Sequence, residues 1–348
     1  MNSIEKPSPG CEDPAVKTAV YSSKPYDEEF LNAAAGGTAE LSYFEERLNP
    51  HTAALAAGHE AICAFVNDIL SAKVLDILHR HGVRFIALRC AGFNQVDIRH
   101  AASLGLRVAR VPAYSPYAVA EFALALMLAL NRRIHRAYNR VRDGNFSIDG
   151  LLGFDMHGKT IGLVGTGKIG LVMAKILSGF GMRILGHDVH ENPEFAATGG
   201  RYVDLETLWA ESDIISLHCP LTPQTYHIVD KHSIDRMKPG VMIINTSRGA
   251  LVHAEAVIEG LKSGRIGHLG LDVYEQEADI FYENLSEEII QDDILQRVIT
   301  FPNVLITSHQ AYFTDTALQN IAETTIANLR AFANGEKLQN EVTTGMMH

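Results

Sequence analysis

The chain has 348 residues, 47% of them hydrophobic and 20% charged, with a formal net charge of −11. A chain this long favours two domains over one, and it holds enough apolar material for two cores. The acidic balance argues against nucleic acid or an anionic membrane as partner, because both are gripped by a basic face. The four cysteines, Cys11, Cys63, Cys90 and Cys219, form no C-x-x-C and read as reduced thiols, with no metal site. The opening residues MNSIEKPSPGCEDPA have no apolar core, and no long apolar run follows anywhere. A cytoplasmic address is therefore expected, with no membrane span.

Residues 1–15 are rich in Pro, Ser and charge and read as a disordered leader. Short apolar runs then alternate with amphipathic segments: Lys17–Tyr21, Tyr26–Ala35, Glu40–Phe44, Ala61–Val66, Ala72–His81, Arg84–Arg89, Val96–Leu104 and Arg107–Val111. Strand and helix alternating in this way predict a parallel sheet with crossover helices. Pro112 and Pro116 bracket a break, after which Tyr117–Tyr138 carries one long helical pattern. Its first half is apolar almost all round, which predicts a buried helix and suggests an oligomer. Arg132, Arg133, His135 and Arg136 read as its solvated end rather than as a nucleic-acid patch.

A second α/β series begins at Thr160. Its strands are expected at Thr160–Val164, Ile214–His218, Val241–Asn245, Leu269–Val273 and Val304–Thr307, with helices near Leu205–Glu211, Ser233–Met237 and Ala254–Ser263. Residues 278–297 read as an acidic, loop-like insertion. A last helix, Thr314–Ala333, should return to the first domain, because the second sheet is complete before it. The expected organisation is α/β with two doubly wound parallel sheets joined by long helices. Residues 1–115 and 313–348 form one discontinuous domain, and residues 116–312 form the other.

The stretch TIGLVGTGKIGLVMAKILSGFGMRILGHD organises the second domain. Gly165, Gly167 and Gly170 have G-x-G-x-x-G spacing between an apolar strand and a helix. The first permits a tight turn, the second lets backbone approach a pyrophosphate, and the third lets helix and strand pack closely. Asp188 ends the next strand, where its carboxylate can meet an adenosine ribose and repel a 2′-phosphate. NAD is the expected cofactor, and with it hydride transfer.

Hydride transfer to a carbonyl also needs a proton source and a group to hold the substrate. Open α/β sheets bind ligands at the carboxyl ends of their strands. Three neighbouring strand ends offer candidates: Arg248 in NTSRGAL, Glu277 in LDVYEQE and His309 in LITSHQA. Each alone reads more readily as a surface charge or a structural histidine. Their coincidence around one nucleotide motif is what points to catalysis.

With these motifs the chain resembles the D-isomer-specific 2-hydroxyacid dehydrogenases, and among them the fermentative D-lactate type, over residues 18–340. RCAGFNQVD, VPAYSPYAVAE, GTGKIG, HCPLTP, NTSRGAL, GLDVYEQE and SHQAYFT carry the likeness. The resemblance implies a Rossmann NAD domain beside a flavodoxin-like substrate domain. It implies that Arg248 binds the substrate carboxylate, that His309 donates a proton to the carbonyl oxygen, and that Glu277 orients that imidazole and favours its charged form. Backbone amides at Ala91 and Gly92 would also hold the carboxylate, and Tyr114 would close over the substrate. Tyr312 stands where some relatives carry phenylalanine, near the substrate methyl. Lys168, Ile169, Asp188, Cys219, Pro220, Thr246 and Asp272 would contact the cofactor along with the three glycines. Hinges are implied near Ser115 and near Tyr312 and Phe313.

The expected reaction is reduction of pyruvate to D-lactate by NADH. The alternatives are a related enzyme for a larger or more polar 2-oxo acid and, from another class, an NAD-sensing corepressor-like binding protein. The expected partners are a small-molecule substrate and further copies of the chain, with no nucleic acid and no membrane.

Overall fold

A computed structural model describes residues 16–277 and 280–346. The chain divides into two compact units, residues 1–114 with 314–348, and residues 115–313. Each is built on one parallel sheet, of five and of seven strands.

The first unit contains β1 (Lys17–Val20), β2 (Glu40–Tyr43), β3 (Ala61–Ala64), β4 (Phe85–Leu88) and β5 (Arg107–Ala109), in the order β2-β1-β3-β4-β5. That is the flavodoxin-like order. β3 and β4 are buried at every residue, as a sheet covered on both faces requires. One face packs Ile62, Leu75, Ile86 and Leu88. The other packs Cys63, Phe85 and Ala87 against Ile326 and Leu329 of the helix Asp315–Ala333, so the last helix of the chain completes the first core. That helix is capped by Thr314, whose hydroxyl accepts the Ala317 N–H.

The second unit contains β6 (Thr160–Val164), β7 (Arg183–His187), β8 (Arg201–Tyr202), β9 (Ile214–Leu217), β10 (Val241–Asn245), β11 (Ile266–Leu271) and β12 (Val304–Ile306). The order β12-β11-β10-β9-β6-β7-β8 reverses direction between β9 and β6, the switch point of a Rossmann sheet. Val164 pairs with His187 in register, so Gly165 and Asp188 leave adjacent strands side by side.

Three expectations need correction. The long helix predicted over Tyr117–Tyr138 is two helices, Pro116–Arg132 and Ile134–Arg142, broken at Arg133 with φ +49°. Asn131 supplies the reason: its amide accepts the Phe154 N–H at 2.8 Å and donates to the Phe154 carbonyl at 2.7 Å, so the helix end is bound to a later loop. The apolar first half is spent inside its own unit, where Ala123, Met127 and Leu130 pack with Ile161, Met173 and Ile244. The end of the predicted insertion is not loop: residues Asp293–Ile299 form a helix capped by Asp292, whose carboxylate accepts the Leu295 N–H at 2.8 Å. Ala278 and Asp279 of that insertion lie outside the described residues. The short helix Pro193–Ala197 and the two-residue strand β8 were not predicted, being too brief to carry a period. Among the described residues no helix is long and apolar enough to cross a membrane.

Candidate active site

The nucleotide motif has the geometry its glycines demand. Gly165 sits at φ +96°, and a Cβ there would lie 2.5 Å from the Cys219 backbone nitrogen. A Cβ on Gly170 would lie 2.1 Å from the Gly165 carbonyl oxygen, so this helix can approach its strand only without a side chain. Gly167 differs: its Cβ position meets nothing within 4 Å, which leaves open space above the turn. The helix Lys168–Gly179 starts from Gly167 with no side-chain cap, so its first N–H groups point into that space. Lys168 is exposed and Ile169 partly buried beside it.

Asp188 is fixed from the glycine turn itself. Its Oδ2 accepts the Thr166 N–H at 2.7 Å and the Thr166 hydroxyl at 3.2 Å. Thr166 Oγ1 also meets the Tyr202 hydroxyl at 2.7 Å, and that hydroxyl accepts the Asn192 N–H at 2.7 Å. Thr166, Tyr202 and Asn192 thus hold the acid in place, none of them visible as a site residue in sequence.

At the end of β9, Cys219 is buried, and loss of solvent pushes its thiol up to about 12. The Pro220 carbonyl accepts the Thr225 hydroxyl at 2.7 Å. Beyond β10 the Thr246 hydroxyl is buried without a partner. An orphaned hydroxyl, an uncapped helix start and open space at Gly167 all lie at the carboxyl end of one sheet. This is a cradle that fits a dinucleotide.

The catalytic candidates follow three consecutive strands, β10, β11 and β12. His309 Nδ1 lies 2.7 Å from Glu277 Oε1, and Glu277 Oε2 accepts the Tyr274 N–H at 2.8 Å. His309 stands at φ +55°, a left-handed conformation that costs energy for a side chain other than glycine. What enforces it is Asp272, fully buried at the end of β11. The Asp272 carboxylate accepts the Thr307 hydroxyl at 2.6 Å and the N–H groups of Gln310 and Ala311 at 2.9 and 2.8 Å. The Asp272 carbonyl takes the His309 N–H at 2.7 Å. Expected as a cofactor contact, Asp272 is seen here gathering the loop that presents His309.

Arg248 is half-buried after β10. Its Nη1 donates to the Ser247 carbonyl at 2.7 Å, and its carbonyl accepts Asn245 Nδ2 at 2.8 Å. Ser247 Oγ donates to the Cys219 carbonyl at 2.7 Å, tying the arginine loop to the β9 loop. Tyr312 is buried and meets Phe313 edge to face.

In the first unit, Ala91 and Gly92 follow β4. Their carbonyls are occupied, by Arg110 Nη1 at 2.7 Å and by Cys90 Sγ at 3.3 Å. Among the described residues neither of their N–H groups donates to a backbone carbonyl. The Tyr114 carbonyl accepts Asn320 Nδ2 at 2.6 Å. Among the described residues no cluster of His, Cys, Asp or Glu could hold a metal ion.

Comparison with known proteins gives the same picture. Residues 124–311 match the family described as D-isomer specific 2-hydroxyacid dehydrogenase, NAD binding domain. The chain is 54% identical over 330 residues to D-lactate dehydrogenase of Escherichia coli, covering 94% of this chain and 100% of that one. Among solved structures, the pyruvate reductase of Chlamydomonas reinhardtii superposes with a TM-score of 0.90 at 42% identity, over 94% of this chain and 99% of that one. The Salmonella D-lactate dehydrogenase does so at 0.82 and 55% identity, over the same shares. A family match over more than half of the chain, and relatives above 50% identity along nearly all of it, settle the membership: the chain belongs to the NAD-dependent D-isomer specific 2-hydroxyacid dehydrogenases.

Proposed function

We propose that the protein is a D-lactate dehydrogenase that reduces pyruvate with NADH. The observation that carries this reading is the 2.7 Å contact between His309 Nδ1 and Glu277, at the end of the sheet that holds the nucleotide cradle. NADH supplies the hydride when bound. The protein supplies the proton and the grip on the substrate.

His309 uses Nδ1 for the carboxylate, which leaves Nε2 for the carbonyl oxygen of a 2-oxo acid. Glu277 sets the ring's orientation and is itself set by the Tyr274 amide. Arg248 offers a planar guanidinium with several donors, suited to a carboxylate and to the polarised carbonyl beside it. The amides of Ala91 and Gly92 are assigned to the same carboxylate, Tyr114 to closure over the substrate and Tyr312 to its methyl side. Gly165, Gly167, Lys168, Ile169 and Gly170 are assigned to the pyrophosphate, and Asp188 to the adenosine ribose. Cys219, Pro220 and Thr246 line the rest of the cofactor, with Asp272 behind them. Residues 1–114 with 314–348 serve as the substrate domain and 115–313 as the NAD domain, in the cytoplasm.

A homo-oligomer belongs to the same reading. The segment after Arg133 leaves Ile134, Phe146, Ile148 and Leu152 between 56% and 89% exposed, more apolar surface than one short stretch of a monomer usually leaves in water.

The deciding experiment follows NADH oxidation with pyruvate for the wild type and for His309→Ala, with chiral analysis of the product. D-lactate from the wild type and a rate lower by about 10²–10⁴ in the variant would support the reading. Turnover confined to larger 2-oxo acids would replace pyruvate as substrate, and NADH binding without any turnover would favour a nucleotide-sensing role.

A further inference from the structure

The loop that carries Glu277 carries a second histidine–carboxylate pair. Glu275 lies two residues before Glu277, and its Oε1 meets His227 Nε2 at 3.0 Å and the Tyr226 hydroxyl at 3.2 Å. Both members of the ion pair keep only 20% of their side-chain surface exposed. The Tyr226 ring stacks on the His227 ring with centroids 3.8 Å apart, and His253 meets His227 edge-on at 4.6 Å. His227 stands at φ +53°, so here too a side chain is held at backbone cost.

The backbone of the same histidine is bound elsewhere. The His227 N–H donates to the Ala250 carbonyl at 2.9 Å, the Val229 N–H to the Leu251 carbonyl at 3.0 Å, and the His253 N–H returns to the Val229 carbonyl at 2.9 Å. Residues 227–229 thus run against the segment that leaves Arg248. Where that segment passes the Glu277 loop the fit is tight: a Cβ on Gly249 would lie 2.1 Å from the Tyr274 carbonyl carbon. His227 therefore joins two loops, by its backbone to the one after Arg248 and by its side chain to the one before Glu277.

We infer that His227 and Glu275 are a positioning pair of the active site, which fixes the Arg248 loop against the Glu277 loop and so sets the guanidinium relative to the Glu277–His309 couple. Neither residue touches substrate or cofactor in this role. The role rests on the dehydrogenase reading: if Arg248 holds the 2-oxo acid and His309 protonates it, slippage between the two loops weakens substrate binding first. The glycine turn and Asp188, which follow β6 and β7, are built apart from both loops.

The test compares His227→Asn, Glu275→Ala and Glu275→Gln with the wild type in steady-state pyruvate reduction, with NADH affinity and thermal unfolding measured on each. Asparagine tolerates the left-handed backbone but is too short to reach Glu275. Glutamine keeps an oxygen for His227 Nε2. Loss of the pair should raise KM for pyruvate about tenfold and lower kcat less, with NADH affinity unchanged. Glu275→Gln should return KM to within about threefold of wild type. Unchanged KM in both disruptive variants would overturn the inference. So would equal losses in kcat, pyruvate KM and NADH affinity that track a fallen Tm and are not relieved by glutamine, since that is the mark of a purely structural contact. Absence of turnover in the wild type would overturn the dehydrogenase reading itself, and the positioning role with it.

Discussion

Glu277 divides its carboxylate between two donors, the His309 ring at 2.7 Å and the Tyr274 backbone N–H at 2.8 Å. An amide in its place has one acceptor oxygen and one donor group, so it can serve only one of them well. Glu277→Gln should therefore lower kcat for pyruvate reduction by about 10- to 100-fold, through loss of the fixed imidazole. KM for NADH should stay within about twofold, because the nucleotide cradle is built from other strands. Stopped-flow single turnovers would report the chemical step directly, and a wild-type rate in the variant would remove Glu277 from the mechanism.

Asp272 makes a similar prediction for a residue that touches no reacting atom. Its carboxylate gathers Thr307, Gln310 and Ala311, and its carbonyl takes the His309 N–H. Burial pushes this carboxyl up and the three hydrogen bonds pull against that shift. Asp272→Asn would set an NH₂ group against at least one of those donors. The expected result is a loss of about 2–3 kcal/mol in stability and at least about tenfold in kcat, since His309 no longer stands at its strained angle. Denaturant unfolding and steady-state rates check the two halves, and a stable, fully active variant would contradict both.

These two residues show what the sequence could and could not disclose. Glu277 and His309 were legible because each follows an apolar strand, and strand ends beside a glycine turn are where such sheets bind ligands. The part played by Asp272 was not, because its donors come from residues 35 to 39 positions further on. The family resemblance suggested only a cofactor contact for it. The left-handed backbone at Arg133, His227 and His309 is equally silent in sequence, since none of the three is glycine. The central strands of both sheets, by contrast, were readable from apolar runs, as parallel strands buried on both faces require. The exposed helix Ile134–Arg142 was misjoined to its neighbour because the apolar pattern continues through the break.

Cofactor choice should reside in Asp188. Its Oδ2 is tied to Thr166, so the carboxylate cannot swing away from a 2′-phosphate without breaking the turn. Asp188→Ser removes the charge and leaves Thr166 a small acceptor. Selectivity for NADH over NADPH, measured as the ratio of kcat/KM values, should fall by about tenfold or more, chiefly through a weaker KM for NADH. An unchanged ratio would place the discrimination elsewhere.

His218 links the nucleotide site to acid stability. It follows β9, its N–H bonds the Val164 carbonyl at 2.7 Å, and its Nε2 meets the Ser216 hydroxyl at 3.0 Å. Burial lowers its pKa from 6.5 to about 4. The unfolded chain therefore takes up a proton that the folded chain refuses. The neutral ring contributes stability fully above pH 6.5, and that contribution is lost as pH falls toward about 4. The residue as a whole is only partly buried, which reduces the effect to about 1–2 kcal/mol. In His218→Gln this component is absent, so the wild type should lose that much more stability than the variant over the same pH interval, whatever the offset between them at neutral pH. Denaturant midpoints taken across the interval give the comparison, and parallel curves would mean that His218 is free to charge in the folded protein.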